Sequence, residues 1–246
     1  MSHFFINSAQ IQADILTIVG DDVNHMKNVL RMRSGEAFTA ADENGIFYHC
    51  EVDTLEKEQV SAKILDREQG GSELSSKIYL FQGLPKSDKM ELIIQKAVEL
   101  GAYQIIPVAT KRAIVKLDAK KEASKLKRWQ AIAEGAAKQS GRMLIPQICE
   151  VKTFGEALQM AKELDVNVIP YECARGMDGT REIFGNIQPG MSVGIFIGPE
   201  GGFEESEVEK AKELDVKPVT LGKRILRTET AGLTTLSILM YLLEES

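Results

Sequence analysis

Two different rhythms of apolar residues divide the chain. Up to about residue 66 the apolar positions come in brief runs or alternate with polar ones. Such segments are Phe4–Ile6, Ile15–Ile18, the stretch from Gly45 to Asp53 behind a turn signal at Asp42–Gly45, and Gln59–Leu65. Period-two patterning predicts short strands. A helix is expected among them at Asp22–Arg31, where Val23, Met26, Val29 and Leu30 recur at helical spacing ahead of Gly35. These elements predict a small β-barrel, a common form for a compact binding module. The stretch Arg67–Ser76 has two glycines, three serines and no apolar period, which marks a linker. Beyond it strand and helix patterns take turns. Strands are expected at Ile78–Phe81, Gln104–Ala109, Val166–Pro170, Val193–Ile197 and Pro218–Leu221, and helices at Asp88–Leu100, Lys120–Lys138, Phe154–Leu164, Glu204–Leu214 and Glu229–Leu243. That alternation predicts an α/β domain with a largely parallel sheet. The resulting division is a barrel over 1–68, a linker over 69–76 and an α/β domain over 77–246.

The final helix departs from the amphipathic pattern. Between Ala231 and Leu243 its polar groups are Thr234, Thr235, Ser237 and the Tyr241 hydroxyl. A helix apolar on all sides needs cover on all sides. One sheet face supplies only part of it, so a homodimer through this C-terminal helix is expected.

With 246 residues, 43% hydrophobic and 27% charged, the chain has the make-up of an ordinary globular protein. No apolar run approaches the ~20 residues that span a bilayer, and no membrane association is expected. The opening Met-Ser-His-Phe-Phe-Ile-Asn lacks the basic start and long apolar stretch of a secretion signal, so a cytoplasmic location is expected. Cys50, Cys149 and Cys173 stand far apart, and His3, His25 and His49 form no metal-ligand spacing, so no metal site is expected.

The net charge of −6 hides a strong asymmetry. Residues 86–142 hold 13 Lys/Arg against 6 Asp/Glu, whereas 1–74 hold 6 against 13 and 143–246 hold 10 against 17. A local basic strip steers a phosphate chain whatever the total charge. Lys121, Lys125 and Arg128 fall at i, i+4, i+7, opposite a buried face of Trp129, Ile132, Ala133 and Ala136. A solvated face is the ordinary meaning of such a run. Lysines crowding a helix start oppose the macrodipole, however, which favours phosphate contact.

Two strand ends carry the candidate chemistry. Ile195-Phe-Ile-Gly-Pro-Glu-Gly-Gly-Phe runs from an apolar strand into a glycine turn. Ligands of open α/β sheets bind beyond the carboxyl ends of strands, where glycines let the backbone approach them. A plain tight turn is the alternative. Thr220-Leu-Gly-Lys-Arg-Ile-Leu-Arg-Thr-Glu-Thr-Ala again leaves a strand at a glycine. Ile225 and Leu226 within that turn either plug the core or contact an apolar ligand such as an adenine ring. Thr228 and Glu229 read as N-cap and first-turn acid, whereas Arg227 is a cation where the dipole disfavours one. Neither Gly-x-Gly-x-x-Gly after a strand nor a Gly-Lys-Ser/Thr phosphate loop occurs.

Gly198-Pro-Glu-Gly-Gly202 followed by Leu221-Gly-x-Arg-Ile-Leu-Arg-Thr-Glu-Thr-Ala231 resembles the C-terminal signature of the RsmE family, SPOUT-superfamily methyltransferases that act on small-subunit ribosomal RNA. His25-x-x-x-Val-Leu-Arg-Met-x-x-Gly35, Lys86-x-Asp-Lys-Met-Glu-x-x-Ile-Gln-Lys-Ala-x-Glu-Leu-Gly101 and Gln139-Ser-Gly-Arg142 fall in the family order, so the resemblance runs almost end to end. Two positions depart from it: Lys138 stands where relatives commonly carry an acid, and His3 where many carry Arg.

The resemblance implies a PUA-like RNA-binding barrel, a SPOUT domain with a deep trefoil knot, and a dimer. It implies S-adenosylmethionine as cofactor, and as target N3 of one uridine of 16S rRNA (U1498 in the family's name). The cofactor-binding residues it implies are Tyr171, Ile197, Gly198, Pro199, Glu200, Gly201, Gly202, Leu221, Gly222, Ile225, Leu226 and Thr230. Uridine N3 carries a proton and needs a base, and the charge left behind needs a cation. Glu229 is the candidate base, and Arg142 or Arg227 the candidate anion stabiliser. RNA contacts are expected from His25, Arg31 and Arg33 in the barrel and from Lys86, Lys89, Lys121, Lys125 and Arg128. A non-catalytic RNA-binding or ribosome-assembly protein on the same fold is the alternative. Neutralising Lys121, Lys125 and Arg128 together is expected to weaken RNA binding and flatten its salt dependence, read from the slope of log affinity against log salt.

Overall fold

The computed structural model describes residues 2–69, 71–171 and 176–244. By their contacts these fall into two units, one of residues 1–73 with 137–145, the other of 74–136 with 146–246.

The first unit is a curled six-stranded sheet. Its strands are β1 (His3–Phe5), β2 (Ile11–Gln12), β3 (Ile15–Val19), β4 (Ala37–Ala41), β5 (Ile46–Leu55) and β6 (Gln59–Gln69), in the order β1-β4-β5-β6-β3-β2. Every pairing is antiparallel except β1 with β4. Alternate residues such as Leu16, Ile18, Phe38, Val60 and Ala62 point into one core with Phe4 and Met26. Burying each of the larger ones contributes about 1.5–3 kcal/mol. The expected helix at Asp22–Arg31 is instead one short turn, α1 (Asp21–Asn24), continued by a π-helical turn over His25–Val29. Arg31 follows in the left-handed region, with φ +54°. Strand β4 escaped the pattern reading because Ala-Phe-Thr-Ala-Ala is poor in β-branched residues.

The second unit holds a wholly parallel sheet. It comprises β7 (Lys77–Gly83), β8 (Ala102–Ala109), β9 (Gln147–Ile148), β10 (Lys152–Thr153), β11 (Val166–Pro170), β12 (Ser192–Ile197) and β13 (Val216–Val219). The order is β10-β8-β7-β12-β11-β13, with β9 also on β8. Between the strands run α2 (Lys89–Glu99), α3 (Ala119–Ser140), α4 (Phe154–Ala161), α5 (Met177–Gly185), α6 (Glu205–Glu213) and α7 (Thr228–Leu243). Helix α5 was not legible in the sequence, since two glycines in nine residues depress its propensity. On one face α2 and α7 pack together, α2 touching β8 and α7 touching β7 and β12. On the other, a core of Phe81, Phe196, Phe154, Phe203, Ile106 and Val208 joins the sheet to α4 and α6. Phe81 and Phe196 stack at 4.4 Å between ring centroids, cementing β7 to β12.

The segment after β6 is held at both ends. In the first unit, Ser72 Oγ donates to the Gly141 carbonyl, and Glu73 forms an ion pair with Arg142 and accepts the backbone N–H of Met143. In the second, buried Ser76 accepts the backbone N–H of Gly190. The end of α3 and the turn behind it, assigned to the α/β domain by pattern, therefore cluster with the first unit. Cys50 and Cys149 are free thiols, and burial pushes that of Cys50 up to about 12. Cys173 lies outside the described residues. Among those described, no helix is long and apolar enough to cross a membrane, and no cluster of His, Cys, Asp and Glu could hold a metal.

His3, the first of the two departures, is buried beside the second. Its Nδ1 is 2.9 Å from Thr39 Oγ1. Burial holds the imidazole below its ordinary 6.5, opposed by a hydrogen bond with the Arg142 backbone and reinforced by the Lys138 ammonium. A lowered histidine pKa means that the unfolded chain binds the proton first, so stability is lost as pH falls below about 6.5. Thermal unfolding between about pH 7.5 and 5.5 is expected to show a steeper loss of Tm in the native chain than in His3→Gln.

Candidate active site

The sheet positions a cleft by register. Phe196 and Ile197 of β12 lie opposite Phe81 and Gln82 of β7, so both strands end together and their loops leave side by side. On the far side of β12, Pro170 at the end of β11 pairs with Val219 of β13, bringing Tyr171 and Thr220 to the same edge. A cleft of about 580 Å³ opens there. Its walls are Pro170 and Tyr171, Ile197–Phe203, Thr220–Gly222, Arg224–Thr228, Ala231, Lys89 and Arg112. The volume falls in the range of small-molecule sites, at the strand ends where open α/β sheets bind ligands.

Beneath the cleft is a buried polar chain. The Gln82 side-chain amide donates to the Gly83 carbonyl and to Thr228 Oγ1, each at 2.9 Å, and the Thr228 hydroxyl donates to the Gly198 carbonyl at 2.6 Å. It ties the end of β7, the start of α7 and the first residue of the glycine loop together. Thr228 is therefore not an N-cap. Arg227 occupies that position with extended backbone, and Thr228 is the first helical residue, its hydroxyl used for the loop. Glycines make the closeness possible. A Cβ on Gly83 would stand 2.7 Å from Pro199, and one on Gly198 would stand 3.0 Å from Gly202.

The rim is charged. Lys89, in the first turn of α2, lies 3.1 Å from Glu200 of the glycine loop and 3.3 Å from Glu229 of α7. These contacts, Glu200 first, hold the ammonium pKa above its usual value. Burial pushes the Glu200 carboxyl up, but its own backbone N–H, the Lys89 ammonium and the Lys86 N–H outweigh it and hold it low. On the opposite wall Arg112 pairs with Glu204 at 2.9 Å and donates to the Gly201 carbonyl.

The sequence-derived residues separate into three groups. Tyr171, Ile197, Gly198, Pro199, Glu200, Gly201, Gly202, Leu221, Gly222, Ile225, Leu226 and Arg227 line the cleft, whereas Thr230 does not. Ile225 is 84% exposed, so it plugs no core. Glu229, 17% exposed, meets the cleft through Lys89 rather than lining it. Arg142, expected at the reaction centre, is buried in the first unit with its guanidinium on Glu73. Of the RNA candidates, His25, Arg31, Arg33, Lys86 and Lys121 are exposed, Lys125 is half-buried, and Arg128 reaches Glu91 at 2.7 Å. Lys89, read as an RNA contact, stands in the cleft wall. Arg112 and Arg224 were not foreseen; they sit in turns without periodicity, and only the folded sheet edge brings both to the cleft wall.

Comparison with known proteins matches this architecture. The model of an RNA methyltransferase domain matches residues 72–240, and that of an RNA methyltransferase PUA domain matches residues 18–65. A protein of Bacillus subtilis (strain 168) named Ribosomal RNA small subunit methyltransferase E is 39% identical over 247 residues, covering 98% of this chain and 96% of its own. The chain belongs to the ribosomal RNA small subunit methyltransferase E family. Solved structures agree with the assignment. The family's Neisseria gonorrhoeae member, bound to S-adenosyl methionine, is 33% identical with a TM-score of 0.83 and 98% of each chain covered. A putative methyltransferase of Legionella pneumophila, in complex with the same cofactor, is 30% identical with a TM-score of 0.84, covering 97% of this chain and 96% of that one. The PUA-like assignment gives the curled sheet of the first unit its place in the family's architecture. Gly83→Ala is expected to push the glycine loop off β7 and cost about 1–3 kcal/mol, measured by denaturant unfolding.

Proposed function

We propose that this chain transfers a methyl group from S-adenosylmethionine to N3 of one uridine in the 16S rRNA of the small ribosomal subunit. The observation that carries the proposal is the cleft made by three strand-end loops of a chain in this family. Its residues fit the cofactor. Gly198, Gly201 and Gly202 bare the backbone for polar contacts, and Ile197, Leu221, Ile225 and Leu226 offer apolar surface for an adenine ring. In our reading these loops are those of a trefoil knot. Bound there, S-adenosylmethionine supplies a methyl group on a sulfonium, open to in-line displacement.

The chain's own part is to hold the partners aligned and to manage one proton. Glu229 takes the N3 proton, and Arg227 in the cleft wall neutralises the charge that spreads onto O2 and O4. The uridine has to leave its stack to reach them. His25, Arg31 and Arg33 in the first unit, and Lys86, Lys121 and Lys125 in the second, contact the RNA backbone. The homodimer forms through α7. Its inner stripe of Gly232, Thr235, Leu236, Leu239 and Leu243 is buried, while Leu233, Ile238, Met240, Tyr241 and Leu242 remain half-buried or exposed and offer apolar surface to a second copy. A cytoplasmic location accords with such a substrate.

Calorimetric titration with S-adenosylmethionine and with ATP, followed by methyl incorporation into unmodified small subunits, tests the assignment. Binding of the first ligand alone together with incorporation supports it, whereas RNA binding without incorporation leaves an assembly protein. Glu229→Gln is expected to keep cofactor affinity and lose about 10²- to 10⁴-fold in transfer rate, measured by single-turnover kinetics.

A further inference from the structure

We infer that Lys89 is a positioning residue that spans the glycine loop and the start of α7, fixing the Glu229 carboxyl in the place from which it accepts the uridine proton. The inference rests on Glu229 being the base, as proposed above. It starts from a geometry that neither neighbouring element explains alone. Glu200 comes from the glycine loop and Glu229 from the first turn of α7, and they reach the same ammonium at 3.1 Å and 3.3 Å. Two carboxylates that share one ammonium repel each other, and the single cation between them offsets that repulsion and ties the glycine loop to the start of α7.

Other charged groups near the cleft are committed elsewhere or lie on other parts of its wall. On α2, Glu91 is taken by Arg128; on the glycine loop and α6, Glu204 is taken by Arg112. Arg224 and Arg227 line the turn ahead of α7, and Tyr171 lies at the end of β11. Lys86 contributes only its backbone N–H, to Glu200. Among the ion pairs of the described residues, Glu229 has Lys89 for its cation. Lys89 is also placed by the fold: α2 packs on α7, so the first turn of α2 lies beside the first turn of α7.

The two carboxylates make opposite predictions. Removing the cation in Lys89→Met leaves Glu229 facing Glu200 unscreened, and the acid limb of the pH–kcat/KM profile is expected to move up by about one to three pH units. Lys89→Arg keeps the charge and is expected to restore the limb. Removing the competing carboxylate in Glu200→Gln gives Glu229 sole use of the ammonium, and the limb moves down. The same shifts are expected without turnover, in carbon-13 NMR titration of the Glu229 carboxyl, assigned by its absence in Glu229→Gln. A loss that is uniform across pH, with an unmoved Glu229 titration in Lys89→Met, would overturn the inference. So would failure of Lys89→Arg to restore the limb when the variant unfolds at the native temperature. Full activity of Glu229→Gln would instead sink the base assignment and leave the NMR result to stand or fall by itself.

Discussion

The close parallel pairing of β7 with β12, and the short buried hydrogen-bond chain that continues it, is the constraint on which the cleft depends. Stacked Phe81 and Phe196 fix the two strands side by side, and the next residue of β7, Gln82, hands its amide protons to Gly83 and Thr228. Thr228 in turn holds the Gly198 carbonyl. In a buried setting each such bond is costly to leave unmade, so the chain behaves as a unit. The start of a helix, the end of one strand and the first turn beyond another are thereby held at fixed separation, with glycine at Gly83 because nothing larger fits against Pro199.

Around that neutral floor the molecule arranges charge in pairs. Lys89 answers two carboxylates on one wall and Arg112 answers Glu204 and the Gly201 carbonyl on the other. Both cations touch the glycine loop from outside, Lys89 through Glu200 and Arg112 through Glu204 and the Gly201 carbonyl. The loop carries no side-chain bulk of its own at Gly198, Gly201 or Gly202, and its shape is set by what grips it. That division suits methyl transfer, where alignment of donor and acceptor supplies much of the acceleration.

The signals that were legible in the chain are those with local causes. Apolar period two and period 3.6 reported the long strands β5 to β8 and the helices α2, α3 and α4, because each buries a face in the core of its own unit. Elements with weak local preference escaped, β4 being alanine-rich and α5 glycine-broken; at Asp22–Arg31 a helical segment was legible but not its π-helical second half. At the cleft, glycine loops and the odd arginine at Arg227 could be read directly, since a glycine run after an apolar strand and a cation at a helix start each violate a local rule. Lys89, the first residue of α2, breaks the same dipole rule, but the sequence does not say whether it faces RNA or a cleft. Arg142 breaks no rule; it follows a glycine turn, and nothing in its neighbours in sequence reveals a buried ion pair.

Local sequence therefore determined which segments are strands and helices, where the character of the chain changes, and which loops have backbone bare enough to meet a ligand. It also carried, in the ordered motifs, the family to which the chain belongs. Tertiary structure alone decided that Lys89 forms one charged group with Glu200 and Glu229, each more than a hundred positions away from it. It decided as well that Arg142 is spent on Glu73, and that Thr228 serves the Gly198 loop rather than its own helix. Periodicity and propensity act over a few residues, whereas the Coulomb and hydrogen-bonding partners of a half-buried side chain are whatever the sheet order brings beside it.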